Sequence, residues 1–143
     1  MNVNDFSGAK LAVVIQDQVL AFLRDDRAGI PFPGLWDLPG GGRELDESPV
    51  ECAVRETFEE TGVVIDARCI TWRRAYRNER PGGLAQWFMV AEPGWLVRPA
   101  LRLGNEGQAV RWMPMQGFLD RGDAIPHLQE RLGHYLEERV ARA

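Results

Sequence analysis

The sequence predicts an α/β fold in which a mixed β-sheet carries helices on both faces, and three observations support this. Short β-rich runs fill the first stretch of the chain and recur in its second half. A well-capped amphipathic helix stands between these two groups of strands, and a second amphipathic stretch closes the chain. Elements in this order pack as layers, because each apolar helix stripe needs a sheet face to bury it. A length of 143 residues is enough for one domain with a sizeable core, and a single domain over 1–143 is the expectation.

Residues 1–7 read as a loose leader. Residues 9–16 and 19–24 are β-rich runs separated by Asp17-Gln18, a plausible hairpin. Residues 25–34 hold Gly29, Pro31, Pro33 and Gly34 and read as a loop over the entrance of a site. Residues 35–38 form a short strand that runs into Pro39 and the glycines Gly40, Gly41 and Gly42. Beyond the central helix, 63–76 reads as a strand broken near Asp66, 78–83 as a turn and 84–91 as a strand. Residues 93–104 are irregular, with 100–103 a candidate extended segment. Residues 108–113 are a short strand and 116–120 a short helix. The tail from 124 to about 140 is helical, with Ile125, Leu128, Leu132, Tyr135 and Leu136 as its apolar stripe.

The central helix is the best-defined element. Ser48 is a good N-cap, Pro49 suits the first helical position, and Glu51 completes an S-x-x-E capping box. Gly62 supplies the stop. Val50, Ala53, Val54 and Thr57 recur at i, i+3, i+4 and i+7 and make the face that packs on the sheet. Glu56, Glu59 and Glu60 lie off that face and next to one another. Carboxylates crowded into the last turns oppose the helix dipole and repel each other. A solvated acidic face is one reading of them. The glycine run before the helix favours another, since glycine lets backbone approach a ligand closely and clustered carboxylates suit a hard cation such as Mg²⁺.

Composition sets bounds on partners. The chain is 45% hydrophobic and 27% charged with a net charge of −4, which gives no reason to expect duplex nucleic acid. Cys52 and Cys69 make neither a disulfide framework nor a metal-ligand spacing, so reduced thiols in a cytoplasmic protein are the default. The apolar run 11–15 is too short for a membrane span or a signal segment. No internal repeat or low-complexity segment stands out.

The stretch from Gly41 to Val63 resembles the Nudix hydrolases, whose pattern is G-x5-E-x7-R-E-U-x-E-E-x-G-U with U a bulky aliphatic. Gly41, Glu47, Arg55, Glu56, Glu59, Glu60, Gly62 and Val63 stand at the required spacings, and Thr57 is the single departure. Thr57 lies on the packing face, so its departure concerns the core more than the chemistry. Two flanking tracts look like the MutT-type branch of that family: W-D-L-P-G-G at Trp36 to Gly41 and E-G-Q-x-x-x-W-M at Glu106 to Met113.

The resemblance implies a Nudix-type α/β/α sandwich with the box at 41–63. It implies hydrolysis, with Mg²⁺ or Mn²⁺, of a nucleoside diphosphate linked to another moiety. A MutT-like nucleoside triphosphate pyrophosphatase is the first reading. Hydrolysis of nucleotide sugars, ADP-ribose or dinucleoside polyphosphates is the second, and a nucleotide-sensing module without activity is a third. The metal ligands so implied are Glu56, Glu59, Glu60, Glu106 and the Gly41 carbonyl. Either Glu56 or Glu106 takes the proton from water, and Arg55 joins the catalytic set by fixing the loop on the helix. Glu47 either joins the metal shell or pairs with Arg55. Arg24, Trp36 and Gly40 are the candidate substrate contacts. The expected partner is a small nucleotide, with no membrane and no duplex nucleic acid; a homodimer is left open.

Weaker signals have bland alternatives. Arg73, Arg74, Arg77 and Arg80 form either a phosphate-binding rim or a charged strand edge. The five tryptophans are core by default, and His127 and His134 read as surface or partly packed residues of the tail helix.

Overall fold

The computed structural model describes residues 5–77 and 83–142. Its core is a seven-stranded mixed sheet with helices on both faces, the α/β layering that the order of elements predicts. Strand β1 (Phe6–Ile15) lies at the centre. It pairs in parallel with β6 (Ala85–Ala91), which pairs antiparallel with β5 (Ile70–Tyr76) at one edge. On its other side β1 splits its partners. Gly8, Ala9 and Lys10 pair with the short β4 (Gly40–Gly42), while Val14 and Ile15 pair with β2 (Gln18–Leu23). Strand β2 in turn carries β3 (Trp36–Asp37) and β7 (Ala109–Pro114).

Both faces of β1 are covered, which is why it reads as an almost unbroken apolar run. Ala12 and Val14 face one cluster with Phe118, Leu128, Leu132 and Tyr135 of the helices α2 (Met115–Asp120) and α3 (Pro126–Arg142). Ala9, Leu11 and Val13 face the other, with Cys52 and Ala53 of α1 (Pro49–Thr61). No helix among the described residues is long and apolar enough to cross a membrane.

Several local expectations change. Strand β1 begins earlier than expected: Phe6 is buried in the core and starts it, with the Arg43 guanidinium over its ring. The hairpin turns at 16–17, one residue earlier than expected, with Gln16 in the left-handed region at φ 55°. The glycine run is a paired strand, because a Cβ on Gly8 or Gly40 would stand 2.4 or 2.2 Å from a carbonyl oxygen of the opposing strand. Between 63 and 69 there is no strand. The Asp66 side chain accepts from the Arg68 N–H and caps a 3-10 turn over Ala67–Cys69. The segment 100–103 stays irregular, and the turn expected at 78–83 lies mostly outside the described residues.

Helix α1 has the predicted ends, with both hydrogen bonds of the capping box formed and Gly62 at φ 77°. Its buried face is centred on Cys52, Ala53, Thr57 and Thr61, while Val50 and Val54 are only partly buried. Thr57 satisfies its hydroxyl locally by donating to the Ala53 carbonyl at 2.7 Å. A threonine therefore fits the buried position without an orphaned polar group.

Candidate active site

Helix α1, the loop that precedes it and the loop before β7 build a cavity of about 480 Å³ lined by Glu44, Glu56, Glu59, Glu60, Asn105 and Glu106. The helix brings three of these carboxylates to one side by its i+3 and i+4 offsets. Glu106 is brought to them by a loop held at both ends. On one side Arg102 N–H donates to Thr61 O and Gly104 N–H to Glu60 O, at 2.9 and 3.3 Å. On the other, Gln108 N–H donates to Leu23 O at 2.8 Å and Gly107 N–H to Asp25 at 3.2 Å. Two glycines permit this fit. A Cβ on Gly104 would stand 2.1 Å from the Glu59 carbonyl, and one on Gly107 would meet the Phe22 ring at 2.4 Å.

Arg55 binds this acidic group together. Its guanidinium meets Glu47 through Nε and Nη2 at 2.6 and 3.0 Å, and Glu56 and Glu59 through Nη1 at 3.0 and 3.1 Å. Nη2 also donates to the Gly42 carbonyl at 3.0 Å, so the side chain spans from helix to glycine strand. Its hydrogen bonds to Glu47 hold Arg55 still more firmly protonated and Glu47 below the usual carboxylate range. Glu47 thus pairs with Arg55.

The inner carboxylates are poised differently. Burial pushes Glu60 up to about 8, against the pull of nearby Lys10 and of a hydrogen bond from the Gly40 N–H at 2.8 Å. Burial also raises Glu56, with Arg55 opposing. Glu56 lies against Gly41, where a Cβ would stand 2.8 Å from its carboxyl carbon. As they stand, no three His, Cys, Asp or Glu side chains among the described residues converge tightly enough to hold a metal ion. Glu56 and Glu59 are turned to Arg55, and the Gly41 carbonyl accepts from the Cys52 thiol at 3.5 Å. The donor set nonetheless fits a hard divalent cation. Its side-chain donors are all oxygens, and desolvated carboxylates lacking a full complement of cations are relieved by one.

A second cavity of about 280 Å³ lies on the other side of β4, with Lys10, Arg24, Phe32, Gly41, Gln86, His127 and Arg131 among its lining residues. Asp37, 1% exposed, organises its cationic end: its Oδ2 accepts from Lys10 Nζ at 3.0 Å and Arg24 Nη1 at 3.2 Å. Lys10 Nζ also reaches the carbonyls of Leu38 and Gly40. A smaller cavity bordered by Arg24, Arg27, Glu60 and Glu106 lies between the two, sharing Arg24 with one and the glutamates with the other.

Of the expected substrate contacts, Arg24 borders the second cavity, while Gly40 spends its N–H on Glu60 and its carbonyl on Lys10. Trp36 is corrected to a core residue. It is 6% exposed, packs with Leu38 and Ile125, and lies under the guanidinium groups of Arg111 and Arg121, outside both cavities. Of the arginine cluster, Arg73 and Arg74 stand on the edge strand β5, where Arg74 pairs with Glu138 at 3.0 Å; Arg77 follows the strand, and Arg80 lies outside the described residues. Sequence reasoning missed Lys10, Asp37, Gln86 and Arg131, and read His127 as incidental. Lys10 had a signal, being the one charge in the apolar run FSGAKLAVVI.

A layered mixed sheet with a carboxylate-lined cavity at the glycine-to-helix junction defines a class of α/β protein built around this loop and helix. The NUDIX domain family model matches residues 7–131, and the chain belongs to that family. A MutT-like protein of Streptomyces ambofaciens is 32% identical over 111 residues, covering 78% of this chain and 64% of the relative. An RNA pyrophosphohydrolase of Gluconacetobacter diazotrophicus is 31% identical over 104 residues, covering 71% and 55%. The chain thus spans less than two thirds of the length of these curated relatives. Among solved structures, a bifunctional NMN adenylyltransferase/ADP ribose pyrophosphatase from Francisella tularensis, complexed with AMP and a Mn ion, superposes with a TM-score of 0.77. It is 23% identical over 94% of this chain and 42% of that one. A NUDIX hydrolase from Nitrosomonas europaea gives 0.72 at 24% identity, over 99% and 74%. At these identities the structural likeness speaks for the fold.

Proposed function

We propose that this chain is a divalent-metal-dependent pyrophosphohydrolase of nucleotides, with a nucleoside triphosphate cleaved to monophosphate and pyrophosphate as the first reading. One observation carries it. An oxygen-lined acidic cavity and a cation-bearing cavity stand side by side, joined through Arg24, Glu60 and Glu106. That juxtaposition suits a molecule with a phosphoanhydride at one end and a nucleoside at the other.

Glu56, Glu59 and Glu60, with Glu106 from the facing loop, would hold Mg²⁺ or Mn²⁺. The Gly41 carbonyl joins them only if it leaves the Cys52 thiol. Such an ion neutralises phosphate oxygens and lowers the pKa of water. Glu56 or Glu106 takes the proton of the attacking water. Arg55 positions Glu56 and Glu59 and ties them to the glycine strand. Lys10 and Arg24 place positive charge beside the phosphate chain, anchored by the buried Asp37. The MutT-like relative and family membership support the triphosphate reading, and the RNA pyrophosphohydrolase relative supports including the 5′ end of an RNA among the substrates tried.

The test is release of phosphate or pyrophosphate, with Mg²⁺, across nucleoside triphosphates, nucleotide sugars, ADP-ribose, dinucleoside polyphosphates and 5′-triphosphate RNA. Pyrophosphate from a triphosphate is the expected result. Turnover confined to another class moves the substrate to that class. Tight nucleotide binding with no turnover of any member identifies a sensing module and ends the hydrolase reading.

A further inference from the structure

We propose that Arg131 and Gln86 form a base-reading edge that selects nucleobases bearing a ring carbonyl over those bearing an exocyclic amine at the same place. The inference rests on the nucleotide reading above and adds to it the chemistry of the selected base.

Arg131 comes from α3 and Gln86 from β6, and both line the 280 Å³ cavity. The Arg131 guanidinium lies over the Tyr76 ring, 4.4 Å from its centroid, a cation–π contact that holds it in place. Nη1 donates to Gln86 Oε1 at 3.4 Å, and among the described residues Arg131 makes no ion pair. Arg131 is partly buried, and desolvation disfavours its charge. A guanidinium so placed keeps most of its five N–H donors for a ligand.

The remainder of the lining offers few competing acceptors. Asp37 has spent Oδ2 on Lys10 and Arg24 and Oδ1 on the Leu38 N–H. Gln86 has turned its oxygen to Arg131, which leaves its amide N–H₂ as a further donor. Ser7 Oγ donates to the Ala85 carbonyl. The wall is therefore rich in donors, with Phe32, Ile125 and Leu128 providing apolar sides. A planar guanidinium matches two adjacent acceptors such as a purine ring nitrogen and a neighbouring carbonyl. An amine at that carbonyl position would set N–H against N–H and leave partly buried donors unpaired.

Inosine and adenosine monophosphates differ at the position in question, a carbonyl in one and an amine in the other. Calorimetric titration of the full chain should give a Kd for inosine monophosphate lower than that for adenosine monophosphate by roughly tenfold or more. Arg131→Met should bring the ratio close to one. Equal affinities in the wild type, failure of inosine monophosphate to bind, or a ratio unchanged in Arg131→Met would overturn the proposal. If Arg131→Met does not fold by thermal melting, Gln86→Met replaces it. That variant keeps the arginine over Tyr76 but frees its anchor, and should lower the ratio at least threefold; an unchanged ratio overturns the proposal again. Monophosphates carry no phosphoanhydride, so discrimination without turnover in the substrate panel would sink hydrolysis alone. Hydrolysis without discrimination would sink the base-reading edge alone.

Discussion

Glu60 concentrates the physical tension of the site in one residue. Its carboxyl is buried against the glycine strand, and burial lifts it from 4.5 to about 8. The linkage has a definite sign. Between the unfolded value near 4.5 and the folded value near 8 the folded chain binds more protons than the unfolded one, so its stability falls as pH rises through that window. Glu56, also raised by burial, adds to the same slope. Metal-free Glu60→Gln lacks the first contribution. Its melting temperature relative to wild type should therefore climb steadily between pH 5 and pH 8, and a difference independent of pH would show that Glu60 is not desolvated as placed. In the same variant turnover with Mg²⁺ should fall by about 10²-fold or more, since even groups that only orient a metal ligand are worth about 10- to 100-fold. Near-normal turnover would remove Glu60 from the proposed metal shell.

At the scale of elements, the loop before β7 is the piece whose placement matters most. It rests on the last turn of α1 through Gly104 and on β2 through Gly107, and between those anchors it carries Glu106. Glu106→Gln should lower kcat by roughly 10²–10⁴ with little change in KM, as expected for a group that acts in the transition state. A kcat within about threefold of wild type would return Glu106 to the role of a surface residue, whose replacement typically shifts stability by less than about 0.5 kcal/mol. Gly104→Ala should lift the loop from the helix, because its new Cβ would press on the Glu59 carbonyl. Overpacking of this kind costs about 1–3 kcal/mol, readable by denaturant titration. Once the loop is displaced, adding Glu106→Gln should cost little more. The two changes should be clearly non-additive in kcat, and strict additivity would argue that the loop does not deliver Glu106 to the helix.

For the molecule as a whole, the proposed metal site would tie folding to metal. Helix α1, the loop that precedes it and the loop before β7 each contribute to its walls, and in the unfolded chain the last of these is apart from the other two. A cation that binds only the folded arrangement stabilises it by about 2.7 kcal/mol at a hundredfold excess over Kd. Millimolar Mg²⁺ or Mn²⁺ should therefore raise the melting temperature of the wild type, and Glu56→Gln should blunt the rise. Absence of any shift in the wild type would mean that the free protein does not bind metal at that concentration. On the proposed reading an ion would have to compete with Arg55 for Glu56 and Glu59, so Arg55→Met should alter the metal-induced shift even though Arg55 has no lone pair to donate.

The sequence by itself was enough for the layering, for α1 and both its caps, and for the gathering of Glu56, Glu59 and Glu60. All of these depend on spacing within one element: apolar periodicity, a capping box, a glycine stop, and the i+3 and i+4 offsets of a helix. The tail helix and its stripe were legible for the same reason, with Leu128, Leu132 and Tyr135 all buried. What spacing could not convey was which distant segments meet. The conversion of the glycine run into a strand depends on Gly8 and Gly40 lying across from it and from β1, a contact with no local signature. Trp36 looked like a ligand contact from its neighbours in the chain, yet Arg111 and Arg121 come from remote elements to cover it. The second cavity was invisible because β1, β6, α3 and the loop after β2 each supply only one or a few of its walls. Lys10, Asp37 and Arg131 acquire their surroundings only when the split in the partners of β1 and the packing of α3 bring them to one space, and that convergence is decided by tertiary packing.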